Sequence, residues 1–211
     1  MWFAPTFLEG DLRLPDESHE WLFDQLLSHD IAVAGVDVGE SYGSPSGCEA
    51  FTDFHEVVMR ECGLAGKPAL LAQSRGALMH YSWAATYPEQ VSAIACIYPV
   101  CDLRSYPGLE VAAPSYRLTP AELEAELSQH NPIDRLEPLA AAGVSIFHVH
   151  GDSDDAVPLE DNTAVVAARY HELGGQITVV IVPALGHEYP PCPQFFESRD
   201  LASFLLEQCL N

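Results

Sequence analysis

Basic residues are scarce in this 211-residue sequence: nine Lys and Arg stand against 31 Asp and Glu, a formal charge of −22. So acidic a surface repels nucleic acid and anionic membrane, and charge argues against both as partners. No apolar run is long enough to span a bilayer. The six cysteines are scattered without C-x-x-C spacing, which speaks against a disulfide framework at this length, and Cys96 reads as a small buried hydrophobe. A charged leader and a cleavage site are missing as well. The chain opens on Met1-Trp2-Phe3-Ala4-Pro5-Thr6, which reads as the end of a strand whose beginning is absent, so either a fragment or an N-terminally shortened version of the fold is expected. No internal repeat is apparent.

What is present is enough apolar chain, 48% of residues, to bury one sizeable core, and residues 1–211 are read as one domain. Apolar spacing over 16–29 predicts an amphipathic helix, and Ile31–Val38 a buried strand. A second helix is expected over Phe51–Cys62, ended by Gly63. Further strands are predicted at Pro68–Ala72, Val91–Val100, Val144–Val149 and Ile177–Val182, alternating with helices at Ala77–Ala85, Asn162–Leu173 and Ser198–Cys209. Alternation of this kind implies an α/β protein with a mostly parallel sheet of about six strands and helices on both faces. The proline-rich stretch 101–138, with one short acidic helix, reads as a cap-like insertion.

Chemistry in such sheets sits at the carboxyl ends of strands. Directly after Pro68–Ala72 comes Gln73-Ser74-Arg75-Gly76. A strand turning at once into a helix, with small residues two positions either side of a serine, is a nucleophile elbow, here with Ala72 in place of the first glycine. After Val144–Val149 comes His150-Gly151-Asp152-Ser153-Asp154-Asp155, and after Ile177–Val182 comes Gly186-His187. Serine, acid and histidine thus follow three strands in the order expected of the α/β-hydrolase fold.

On Ala72-Gln73-Ser74-Arg75-Gly76, His150-Gly151-x-x-Asp154-x-x-Val157-Pro158 and Gly186-His187, the sequence resembles the α/β-hydrolase superfamily. Within it, the sequence is similar to bacterial esterases and prolyl-oligopeptidase-like hydrolases, including those like dienelactone hydrolase. The resemblance implies hydrolysis through an acyl-enzyme, with neither metal nor cofactor. It also marks the loops around Glu40 and Tyr42, and around Tyr98, as borders of the site.

A serine hydroxyl needs a base to activate it and an acid to orient that base. Ser74 is the expected nucleophile and His187 the expected base. Four acids compete for the third role. Asp102 follows the wrong strand for most of the superfamily, Asp152 is placed to cap its own turn, and Asp155 to face solvent. Asp154 sits where the family pattern has its acid. The oxyanion needs two N–H donors: Arg75 N–H is one, and the loop after the first strand offers Thr6 or Phe7 as the other, since Pro5 has no N–H. The Arg75 side chain, partnered by Glu40, is either a structural ion pair or a substrate clamp. Glu40, Tyr42, Tyr98, Tyr106 and Tyr116 are expected to line the substrate pocket, the last two from the insertion. The expected function is hydrolysis of carboxylic esters, on a small-molecule or carbohydrate-ester substrate. A peptidase, or an inactive binding remnant of the fold, is the alternative.

Overall fold

The computed structural model describes residues 1–10, 12–187 and 191–210. The apolar runs form strands β1 (Trp2–Ala4), β2 (Ala69–Gln73), β3 (Ala93–Ile97), β4 (Ser145–Gly151) and β5 (Ile177–Val182). Neighbours pair in parallel, and their order in space is their order in the chain. Parallel neighbours require crossovers, and these are helical. Helices α1 (Glu20–Leu27) and α2 (Pro45–Cys62) join β1 to β2, and α3 (Gly76–Thr86) joins β2 to β3. Four short helices, α4 (Leu109–Tyr116), α5 (Pro120–Ala125), α6 (Leu127–His130) and α7 (Glu137–Ala141), precede β4. Then α8 (Thr163–Glu172) leads to β5, and α9 (Pro193–Phe196) and α10 (Arg199–Leu210) follow.

Side chains alternate across a strand, so each strand feeds both faces. Trp2, Leu70, Ala72, Ile94 and Ile146 share one core with α2, α3, α7 and α8. Phe3, Leu71, Ala95, Ile97, Phe147 and Val149 share the other with α1, α9 and α10. Helix α3 is buried from Gly76 to Ala85, which explains why it carries no polar stripe. It runs behind the strand that presents Ser74, so the site rests on the most buried helix of the molecule.

Among the described residues the sheet has five strands rather than about six. The missing one is Ile31–Val38, which runs beside β1 but pairs with it only around Ala34. Ala34 accepts from Phe3 N–H at 2.9 Å and donates to Met1 O at 3.1 Å. Beyond it the ladder stops for two reasons. Gly35 lies against the Thr6 side chain, and Asp37 turns its carboxylate to the N–H groups of Leu8 and Gly39. Helix α2 begins six residues earlier than the apolar pattern suggests, because Pro45 occupies its first turn, where a missing N–H costs nothing.

The stretch after β3 is more helical than its prolines imply. It closes a third cluster, Val100, Leu103, Ala112, Tyr116, Leu123 and Leu127, over Leu78 and Val157. Tyr116 Oη donates to Tyr42 O at 2.7 Å and so ties α4 to the loop before α2. Replacing Tyr116 by Phe removes that donor and leaves a buried carbonyl unpaired. The expected cost is about 1 kcal/mol of unfolding free energy, read from the shift of a urea denaturation curve.

Candidate active site

β2 ends at Gln73, and Ser74 takes φ 51° before α3 starts at Gly76. A non-glycine residue in the left-handed region is strained by about 1–3 kcal/mol and persists only where its surroundings hold it. Here Ser74 N–H donates to Ile97 O at 3.0 Å, and Ser74 O accepts from Val100 N–H at 3.0 Å. The turn is also clamped by packing. A Cβ on Gly76 would come within 2.2 Å of Ala4 O, so only glycine lets the start of α3 pass the end of β1.

Ser74 Oγ lies 2.8 Å from His187 Nε2, and His187 Nδ1 lies 2.9 Å from Asp154 Oδ2. The loops that carry the last two are laced together. Ala184 N–H donates to Asp152 Oδ1 at 2.7 Å, and Ser153 N–H to Leu185 O at 3.0 Å. A Cβ on Gly151 would strike Leu185 O at 2.1 Å. Asp152 therefore anchors the histidine loop, while the same oxygen accepts from Ser153 Oγ in its own turn at 2.9 Å. Asp102 accepts from Arg104 N–H and Asn131 Nδ2, which occupies it within the insertion, and Asp155 faces solvent.

Asp154 is 6% exposed. Its Oδ1 accepts from Ala156 N–H at 3.1 Å and from Val157 N–H at 2.8 Å. Burial by itself would raise the Asp154 carboxyl. Hydrogen bonds from His150, His187 and Val157 outweigh it and hold the group well below the usual carboxylate range.

Ser74 and His187 open on a cleft of about 150 Å³, lined also by Pro5, Leu12, Leu14, Gln73, Arg75 and Tyr98. Tyr98 packs its ring on His187, centroids 4.5 Å apart. Its oxygen accepts from Gln73 Nε2 at 2.6 Å, and Gln73 Oε1 is 2.9 Å from His19 Nε2. The Tyr98 hydroxyl proton has no acceptor among the described residues. His19 is wholly buried beneath the site. The signal that could have marked it is Asp16-x-x-His19, in which the cap and the histidine bond each other.

Of the expected pocket residues, only Tyr98 lines the cleft. Glu40 is spent on Arg75, with Oε1 to Nη2 at 2.8 Å. Tyr42 is buried with its phenol facing Glu40. Tyr116 is buried in the third cluster with Leu78 and Tyr106 packs against that cluster, so neither is among the residues lining the cleft. Arg75 pairs with Glu40, stacks over Phe7 at 5.2 Å and still forms one edge of the cleft. Of the two further oxyanion candidates, Phe7 N–H is taken by Leu14 O at 3.0 Å. Thr6 N–H and Arg75 N–H have no such partner among the described residues. No group of three or more His, Cys, Asp or Glu that could hold a metal ion occurs among the described residues.

A parallel sheet with helices on both faces and a serine elbow at a strand end defines an α/β-hydrolase, and solved structures of that fold bear this out. MPT51 (FbpC1) of Mycobacterium tuberculosis aligns over 99% of this chain and 88% of its own, at TM-score 0.74 and 14% identity. A truncated carbohydrate esterase from gut microbiota aligns over 100% and 85%, at TM-score 0.75 and 17% identity. Dipeptidyl peptidase 4 of Porphyromonas gingivalis covers 83% of this chain at TM-score 0.67 and 17% identity, but this chain spans only 26% of that one. At such identities the likeness is one of fold. Residues 66–211 match the profile of the prolyl oligopeptidase family, and the chain belongs to that family of serine hydrolases. A search of curated proteins finds no match.

Because the folded-state pKa of Asp154 is depressed, its ionised form stabilises the fold above the unfolded-state value, and that contribution is lost as pH falls. Thermal melts of wild type and Asp154→Asn should differ by a constant gap from about pH 7 to about pH 5, narrowing below about pH 4. A gap independent of pH would contradict the depressed carboxyl.

Proposed function

We propose that the protein hydrolyses carboxylic esters through an acyl-enzyme on Ser74. The observation that carries this reading is the unbroken line Ser74 Oγ–His187 Nε2–Nδ1–Asp154 Oδ2, with separations of 2.8 and 2.9 Å. In this mechanism His187 Nε2 takes the Ser74 proton as Oγ attacks the ester carbonyl. Asp154 holds the Nδ1–H tautomer and stabilises the imidazolium. His187 then protonates the leaving alkoxide. Water attacks the acyl-enzyme by the same route and frees the acid.

The tetrahedral oxyanion calls for two aligned N–H groups, and Arg75 N–H with Thr6 N–H are our candidates. Tyr98 supplies a third polar contact: its oxygen is occupied by Gln73, so its own proton is left to bond a substrate oxygen. Leu12, Leu14 and Pro5 make the remaining wall apolar, and about 150 Å³ suits a short acyl group or a small alcohol. The carbohydrate esterase among the structural neighbours supports the ester reading. Family membership and the dipeptidyl peptidase neighbour support a peptidase as the second reading.

Ser74→Ala should lower kcat by about a thousandfold or more, since nothing else in the cleft can form the acyl-enzyme. A fluorophosphonate should modify Ser74 in the wild type, read by peptide mass mapping. Turnover of p-nitrophenyl acyl esters above aminoacyl-nitroanilides supports the ester reading; the reverse order makes the protein a peptidase. Absence of labelling and of turnover on both panels would leave a binding remnant of the fold.

A further inference from the structure

Behind Asp154 lies a second polar line that the reaction does not consume. Tyr81, His148, His150 and Thr163 are all buried, the two histidines with no exposed surface. Tyr81 Oη is 2.8 Å from His148 Nε2, and His148 Nδ1 is 3.0 Å from Thr163 Oγ1. Thr163 Oγ1 is 2.8 Å from His150 Nδ1. His150 Nε2 is 2.9 Å from Val157 O and 3.4 Å from Asp154 Oδ2.

The protons along this line can run in one direction only. A carbonyl oxygen cannot donate, so His150 Nε2 carries the hydrogen at the Asp154 end. At the far end the Tyr81 phenol is buried and must give its proton to His148 Nε2, its one hydrogen-bond neighbour among the described residues. A neutral His148 then donates from Nδ1 to Thr163 Oγ1. Thr163 has one hydroxyl proton, and it goes to His150 Nδ1. Both ends agree, and every polar atom is satisfied with both histidines neutral. Desolvation supports a neutral His148, because it lowers the His148 pKa to about 3.

We propose that His150 is a positioning residue for the Ser74–His187–Asp154 line, held as its Nε2–H tautomer by the one-way chain from Tyr81. Its N–H binds Val157 O, and Val157 N–H in turn binds Asp154 Oδ1. The carboxylate is thus fixed from behind, which fixes the angle at which Oδ2 meets His187. The proposal rests on the hydrolase reading for its kinetic consequence, though not for the tautomers.

The test has two parts. A long-range ¹H–¹⁵N spectrum of the wild type should show His150 protonated on Nε2 and His148 on Nδ1. His150→Leu should then lower kcat by about 10- to 100-fold with KM little changed, through misplacement of Asp154. His150→Gln, which can present an N–H near the Nε2 position, should recover most of the loss. Should His150→Leu not fold, Thr163→Val breaks the chain with little change of shape: His148 should stay protonated on Nδ1, because Tyr81 still donates to its Nε2, while His150 Nδ1 loses its donor and kcat is expected to fall, an unchanged kcat overturning the proposal. Wild-type kcat in folded His150→Leu, or a wild-type spectrum with His150 protonated on Nδ1 or on both nitrogens, overturns the proposal. A wild type inert to esters, anilides and fluorophosphonate sinks the hydrolase reading alone, and the spectrum still decides the chain.

Discussion

The left-handed backbone at Ser74 is the constraint on which the rest of the structure depends. Strand and helix must reverse within two residues if the hydroxyl is to stand clear of the sheet, and that conformation is costly for serine. The cost is met by neighbours on both sides: Ile97 O and Val100 N–H from the β3 end, and Ala4 pressed against Gly76 from the β1 end. Each is a parallel neighbour of β2. The elbow therefore exists only where β2 lies between two strands that end level with it, which is its position in the sheet.

The same logic governs the partners of Ser74. His187 comes from a loop beyond the edge strand β5 and must pass the ends of β4 and β3 to reach the elbow. It does so because the β4 and β5 loops share backbone and carboxylate bonds, with Asp152 holding Ala184 N–H and Ser153 N–H holding Leu185 O. Gly151 allows the two loops to touch. Three acids crowd one short turn, and their roles differ. Asp152 anchors a loop, Asp155 faces water, and Asp154 is buried with His187. A carboxylate buried beside three hydrogen-bond donors is kept ionised, which makes it a good acceptor for an imidazole N–H.

Polar groups beneath the site extend this order inward. On one side Asp16, His19, Gln73 and Tyr98 form a bonded series that ends in the cleft. On the other, Tyr81, His148, Thr163 and His150 form one that ends at Asp154. Buried side chains bonded to one another in series resist rotation, since a rotamer change strands a polar atom; only the Tyr98 proton, at the cleft end, is left over among the described residues. Ser74 and its partners thus stand on two stiff supports as well as on the sheet.

Alternating apolar runs and turn formers were enough to read the parallel sheet, the helices on both faces, and serine, acid and histidine at three strand ends. These are local signals with a fixed period, and a residue that follows a strand is necessarily at the sheet's carboxyl edge. Ile31–Val38 shows the limit: its composition is that of a strand, but pairing depends on how much of β1 is available and on where Asp37 sends its carboxylate. The family pattern already pointed to Asp154 among the four acids; its contact with His187, the loss of Phe7 as a donor, the withdrawal of Tyr106 and Tyr116 from the cleft, and the burial of His19 were decided by tertiary structure alone. Each turns on a hydrogen bond or contact between residues far apart in the chain, such as Gln73 with His19 or Asp154 with His187. Composition and spacing carry no information on the angle at which two distant loops meet, and it is that angle which assigns a side chain to the cleft or to the core.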